Sequence, residues 1–146
     1  MLWRVLPPPP SHRFTFKDLY IVFERMDADL DRILKTPQSL TAQHTQVFLF
    51  QLLCALAHIH SANVIHRDLK PENVLVSMST YVAKVCDFGT SKFLGSVNCT
   101  YTCTRFYRSP EQILDCSYAF SADMWSFGCV ACEVAIGSPF FIGFNS

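Results

Sequence analysis

The sequence predicts an α+β chain, with short strands early and helices dominating the later two thirds. Three observations carry that prediction. The run Leu19 to Glu24 (Leu-Tyr-Ile-Val-Phe-Glu) is dense in β-branched and aromatic residues, the composition of a strand. Two later stretches show helical patterning: Val47, Leu49, Phe50, Leu52, Leu53, Leu56 and Ile59 recur at helical spacing, and Ser121 to Ile136 is apolar nearly all round. Half of the 146 residues are hydrophobic and only 16% are charged, which suits a packed core and argues against disorder.

Taken in order, Leu2 to Leu6 is a short apolar run of strand type. Pro7 to Pro10 then read as a stiff polyproline connector, with an SH3 or WW ligand anchored by Arg13 as the other reading. Met26 to Lys35 turns from loop into a short helix that ends near Pro37. Thr41 stands where an N-cap belongs, ahead of a long, largely buried helix reaching His60. Val74 to Val76 and Val82 to Cys86 read as two strands joined by the polar turn Ser77 to Thr80. Thr90 to Tyr107 lacks an apolar period and reads as an extended loop, with a helical turn after Pro110. The last helix is expected from Ser121, as N-cap, to Ile136, with Gly137 just past its end and the whole placed in the middle of a helical domain.

Twelve Lys and Arg balance twelve Asp and Glu, so no basic field invites nucleic acid and no polybasic segment invites an anionic membrane. Of the seven cysteines, Cys54, Cys86, Cys129 and Cys132 sit among apolar neighbours, and no paired set of C-x-x-C motifs is present, the pattern of reduced thiols in a cytoplasmic or nuclear protein. In that setting the sequon Asn98-Cys99-Thr100 is idle. The most apolar region, Met124 to Ile136, is shorter than the ~20 residues a bilayer span needs and contains Glu133, so a soluble protein is expected. His58 with His60 and Cys99 with Cys103 complete no zinc shell, since residues two apart on a helix face different sides.

The chemistry is concentrated in His66-Arg67-Asp68-Leu69-Lys70-Pro71-Glu72-Asn73. A carboxylate, an ammonium and a carboxamide stand within a few residues, and Pro71 prevents a regular helix from running through them. Such a set suits phosphate and a hard, oxygen-seeking metal ion. Asp87-Phe88-Gly89 follows, its Asp nineteen positions after Asp68.

These two motifs resemble the catalytic loop and the metal loop of eukaryotic protein kinases. Thr104-Arg105-Phe106-Tyr107-Arg108-Ser109-Pro110-Glu111 is similar to the segment that closes the kinase activation loop, and Asp123-Met124-Trp125-Ser126-Phe127-Gly128 to the start of its central buried helix. The resemblance implies ATP and Mg2+ as cofactors, protein Ser or Thr as substrate, and defined roles for single residues. Asp68 would orient or deprotonate the attacking hydroxyl, Lys70 would contact the γ-phosphate, and Asn73 with Asp87 would hold the metal. Phe23 would stand at the entrance to the base pocket, Glu24 and Met26 would offer main-chain groups to the base, Leu75 would floor the ring and Asp29 would reach the ribose. Asp123 would brace the catalytic loop, and Glu111 would pair with an arginine beyond the central helix; without that partner its carboxylate would be buried and unpaired.

Arg-Phe-Tyr-Arg resembles the group holding MAP kinases, glycogen synthase kinases, cyclin-dependent kinases and dual-specificity tyrosine-regulated kinases. Leu19 to Leu30 and His60-Ser61-Ala62-Asn63 resemble the MAP-kinase hinge and the approach to its catalytic loop, while the short activation segment resembles the dual-specificity branch. Cys99-Thr100-Tyr101 stands at the MAP-kinase Thr-x-Tyr position, and a cysteine cannot replace a phosphorylated threonine. Thr100, Tyr101 and Thr104 are thus the regulatory candidates, with Arg105 and Arg108 to pair a phosphate on Tyr101 and Arg67 to meet charge elsewhere in the loop.

The expected architecture is a partial kinase domain. Residues 1–25 would be a remnant of the small lobe and hinge, and residues 26–146 the first part of the mainly α-helical large lobe up to its central helix. The first glycine is Gly89, so no Gly-rich phosphate loop precedes the hinge, and Val82-Ala83-Lys84 matches the Val-Ala-x-Lys motif only superficially, because it directly precedes Asp87. Two functions of different class remain open: a proline-directed Ser/Thr kinase, and a non-catalytic fragment that binds substrates or competes for a kinase's partners. The oligomeric state is open too.

Overall fold

The structure is a computed structural model that describes residues 2–7, 15, 17–37, 40–96 and 104–142. The readings of Pro8 to Pro10, Arg13, Asn98 to Tyr101 and Cys103 fall outside the described residues. Strand β1 (Leu2–Leu6) pairs antiparallel with β2 (Tyr20–Phe23), Leu6 opposite Tyr20 and Val5 opposite Ile21. This ribbon shares no ladder with any other described strand. After β2 the chain passes through residues 24–27 into β3 (Ala28–Asp29) and α1 (Leu30–Leu34).

Asp29 caps α1, its Oδ1 accepting from Arg32 N–H at 2.7 Å, which satisfies one of the donors a helix start leaves open. Helix α2 (Ala42–Ser61) starts on Thr41, whose hydroxyl accepts from His44 N–H, and leads into β4 (Val64–Ile65). Asn63 takes a left-handed φ of 57° between them. A 3-10 turn at Pro71–Asn73 uses proline's fixed φ at its first position and opens onto β5 (Val74–Ser77), which lies between β3 and β6 (Val82–Val85) in an antiparallel sheet. β4 pairs with β7 (Lys92–Phe93), so the stretch from Thr90 is not uniformly a loop; a second 3-10 turn at Arg105–Tyr107 precedes α3 (Pro110–Ile113).

The core gathers Leu30 and Ile33 from α1, Phe48, Leu52 and Leu56 from α2, Leu69, Val74, Val76 and Tyr107 from the loops and β5, and Cys129, Val130 and Val134 from α4 (Phe120–Ile136). Phe48, at 1% exposure, keeps roughly 2 kcal/mol of apolar surface out of water. Two expectations need correction. α2 buries one stripe, Phe48, Leu52, Leu56 and Ile59, while Phe50 is 68% exposed, because it lies off that stripe and away from β6 and α4, against which the helix packs. α4 likewise buries one side, leaving Met124, Trp125 and Ile136 exposed among the described residues.

The α4 cap also differs from expectation. Ala119 is the N-cap and Ser121 lies inside the first turn, where its hydroxyl donates to Glu111 Oε1 at 3.2 Å. Gly137 ends the helix with φ 80°, the left-handed turn that only glycine adopts without cost. No helix among the described residues is long and apolar enough to cross a membrane. Cys54, Cys86, Cys116, Cys129 and Cys132 carry free thiols.

Candidate active site

The segment 66–73 is held from below by α4. Asp123, fully buried in the first turn of that helix, accepts from the main-chain N–H of His66 and of Arg67, each at 2.9 Å, and its Oδ2 lies 2.8 Å from His60 Nε2 at the end of α2. These bonds secure a strained backbone, since Arg67 has φ 74°, a region costing a non-glycine residue ~1–3 kcal/mol. Sequence reasoning misses this role of His60: its partner is 63 residues away, and its place at the last turn of α2 is the only local signal of a contact beyond the helix.

His66 then fixes the loop that carries Asp87. Its Nδ1 accepts from Asp68 N–H at 3.3 Å, so the ring hydrogen belongs on Nε2, which donates to Cys86 C=O at 2.9 Å. Cys86 N–H in turn donates to Asn73 C=O at 2.9 Å. Both main-chain groups of Cys86 are therefore clasped by the 66–73 segment, which anchors the chain one residue ahead of Asp87. Asp87 has φ 59°, and its Oδ1 accepts from Gly89 N–H at 3.2 Å. A Cβ on Gly89 would stand 3.1 Å from that same oxygen, so glycine leaves the carboxylate its position. Phe88 meets the His66 ring edge-on, with centroids 5.0 Å apart.

At the other end of the segment, Asp68 Oδ1 accepts from Thr104 N–H (2.9 Å) and Thr104 hydroxyl (2.8 Å), while Oδ2 lies 3.0 Å from Lys70 Nζ and 3.3 Å from Asn73 Nδ2. Lys70 Nζ donates to Thr104 Oγ1 at 2.8 Å, closing the ring, and Asn73 Nδ2 also donates to Asp68 C=O at 2.7 Å. Burial works against the ionised form of Asp68, but the hydrogen bonds from Thr104 and Lys70 outweigh it and hold the carboxyl below its usual value. With its nitrogen so engaged, the atom Asn73 can offer a cation is its carbonyl oxygen, and Asp87 offers carboxylate oxygen; both are the hard donors magnesium takes. Thr104, read from the sequence as regulatory, thus sits in the Asp68 cluster.

Beside Asp87 opens a mostly apolar cavity of about 770 Å³. Phe23, Glu24 and Met26 form one wall, and Leu75, Lys84, Val85 and the stretch from Cys86 to Gly89 the other. Its size and lining suit a small, largely apolar ligand. Asp29 lies outside that wall, with Oδ1 given to the α1 cap. Lys84 lies in it, bonded to Glu24 Oε2 at 2.6 Å.

Downstream, α4 holds the closing segment as well: Ser126 Oγ donates to Tyr107 C=O (2.7 Å), and Tyr107 OH donates to Glu133 Oε2 (2.6 Å). Arg105 is exposed and Arg108 half-buried, on either side of that turn. The expected buried, unpaired Glu111 is instead half-exposed and accepts from Ser121, because the short α3 lies at the surface.

Comparison with known proteins agrees with this geometry. The family described as Protein kinase domain matches residues 13–146. Mitogen-activated protein kinase 14 of Arabidopsis thaliana is 47% identical over 135 residues, 92% of this chain and 37% of its own length. Mitogen-activated protein kinase 3 of Oryza sativa subsp. japonica is 48% identical over 138 residues, with 92% and 37% covered, and mitogen-activated protein kinase homolog 1 of Petunia hybrida is 46% identical over 138, with 92% and 36% covered. The chain spans little more than a third of the length of these curated relatives. With these matches on an α+β scaffold, the chain belongs to the protein kinase family and is of the MAP-kinase type.

Proposed function

We propose that this chain carries the hinge and catalytic loop of an ATP- and Mg2+-dependent protein serine/threonine kinase that transfers the γ-phosphate to Ser or Thr, preferring a following proline. The bonding of Asp68 supports this reading most directly. Both its oxygens accept hydrogen bonds and it stays ionised, so it orients the substrate hydroxyl and receives its proton late, when the attacking oxygen has become acidic. Lys70, 3.0 Å from it, supplies the cation beside the transferred group. Magnesium, when bound, neutralises charge on the phosphate oxygens; Asn73 and Asp87 would hold it. Phe23, Glu24, Met26 and Leu75 would receive the base, and Asp29 would turn its second oxygen to the ribose.

Regulation belongs to the loop. Phosphate on Tyr101 would pair with Arg105 and Arg108, with Thr100 and Thr104 the neighbouring hydroxyls and Arg67 ready for charge elsewhere in the loop. Intact mass of an active preparation tests this, and Tyr101 found never modified would remove it.

Thermal melting with Mg-ATP and transfer of labelled phosphate to a Ser/Thr-Pro peptide test the activity. Stabilisation lost in Asp87→Asn, and transfer lost in Asp68→Asn with binding kept, are expected. No stabilisation and no transfer would overturn the reading. Binding without transfer would favour the non-catalytic module.

A further inference from the structure

The nucleotide cavity has walls that belong to different sheets. One wall, Phe23 and Glu24, ends the β1–β2 ribbon, which has no ladder to the rest of the described strands. The other, Leu75 and Lys84 to Asp87, belongs to β5 and β6 and to the metal loop that β6 feeds. Residues 24–27 join the two. Their far end is fastened: Asp27 N–H donates to Val76 C=O (3.1 Å), and its Oδ2 accepts from Met78 N–H (2.8 Å) and Ser77 hydroxyl (3.3 Å). Their near end is bridged by the 2.6 Å bond from Lys84 Nζ to Glu24 Oε2, between residues 60 apart.

We infer that Lys84 and Glu24 form a positioning pair that latches the ribbon onto β6 and so sets the width of the nucleotide cavity. Lys84 stands three residues before Asp87 on the same strand exit, so the bond ties the wall that meets the base to the one that carries the metal ligand. It is well suited to adjustment. Its side chains are 35% and 28% exposed, so water and salt screen it, and the latch can yield without disturbing the core. Neither residue acts on the transferred phosphate; both work through the main chain at residues 23–26.

The part concerning nucleotide rests on the kinase reading; the latch itself does not. Hydrogen exchange of the amides at residues 19–26 and the dissociation constant of Mg-ATP should be measured for the wild-type chain, Lys84→Met, Lys84→Arg and the swapped pair Glu24→Lys with Lys84→Glu. Lys84→Met should quicken exchange at 19–26 but not in β5, weaken Mg-ATP by about 3-fold, the scale a part-exposed ion pair sets, and leave the melting temperature unchanged. Arg and the swap should restore both readouts, and 0.5 M salt should erase the difference. Unchanged exchange in Lys84→Met overturns the latch. Altered exchange with an unaltered Mg-ATP constant overturns its control of the cavity. A wild-type chain that binds no Mg-ATP overturns the kinase reading instead, and exchange alone then decides the latch.

Discussion

Asp123→Asn gives the sharpest trial of how the 66–73 segment is held. The carboxylate is fully buried and accepts from His66 N–H and Arg67 N–H at 2.9 Å and meets His60 Nε2 at 2.8 Å. An amide keeps one acceptor oxygen but turns an NH2 group toward a buried donor. One charge-assisted bond, worth ~1.5–3 kcal/mol, is lost, and the opposed donor loses its partner. Arg67 also loses a restraint on its 74° φ. The total comes to ~3 kcal/mol, with Asp123→Ala costing ~3–5 kcal/mol because two main-chain donors are orphaned. Against the ~5–15 kcal/mol stability of a typical domain, that is a large share. Urea unfolding followed by tryptophan fluorescence measures it, and hydrogen exchange localises it: protection should fall at residues 66 and 67 ahead of β5 and β6. An Asn variant within about 0.5 kcal/mol of wild type, or with unchanged protection at those two amides, would refute the bracing role.

Three further outcomes are expected. Tyr107→Phe removes the 2.6 Å bond to Glu133 and should cost ~1.5–3 kcal/mol at neutral pH in urea unfolding, whereas Glu133→Gln, which keeps an acceptor without a charge to desolvate, should match wild type or exceed it. Burial raises the Glu133 carboxyl above its usual 4.5, only partly countered by the Tyr107 bond, so this group's contribution is fullest below 4.5 and declines as pH rises through the raised value; the gap between Glu133→Gln and wild type should close on acidification. Asp68 behaves oppositely, its lowered carboxyl contributing stability above about 3.8 that is lost as pH falls through the folded value, so Asp68→Asn should flatten the acid limb of a melting profile below that pH. Gly89→Ala crowds Asp87 Oδ1 and should weaken Mg2+-dependent stabilisation by ATP several-fold while leaving the melting temperature of the free chain within about 2 °C, read by thermal shift.

Periodicity and local chemistry make much of the fold legible. Thr41 caps α2, Gly137 ends α4, and the β5–β6 hairpin closes through the polar turn, because each depends on residues close in the chain. Features that depend on distant partners are harder to read. Phe50 has the spacing of a core residue yet lies on the outer side, since only the position of the sheet and α4 decides which stripe is buried. Ser121 has the composition of an N-cap, but the chain enters α4 two residues earlier, and its hydroxyl serves Glu111. Within the site, the motif order marks Asp68, Lys70, Asn73 and Asp87. The contacts that His60, Thr104 and Lys84 make span 63, 36 and 60 residues, and no local pattern encodes them.

The β1–β2 ribbon, which shares no ladder with another described strand, has a consequence for handling the protein. A two-stranded ribbon leaves unpaired main-chain donors and acceptors along its outer edges, and here Tyr20 and Phe23 stand 65% and 61% exposed beside them. Such an edge is a template for strands from other molecules. Aggregation should therefore rise steeply with concentration and begin in this segment, and a lysine in place of Ile21, itself 46% exposed, should raise solubility without touching the catalytic loop.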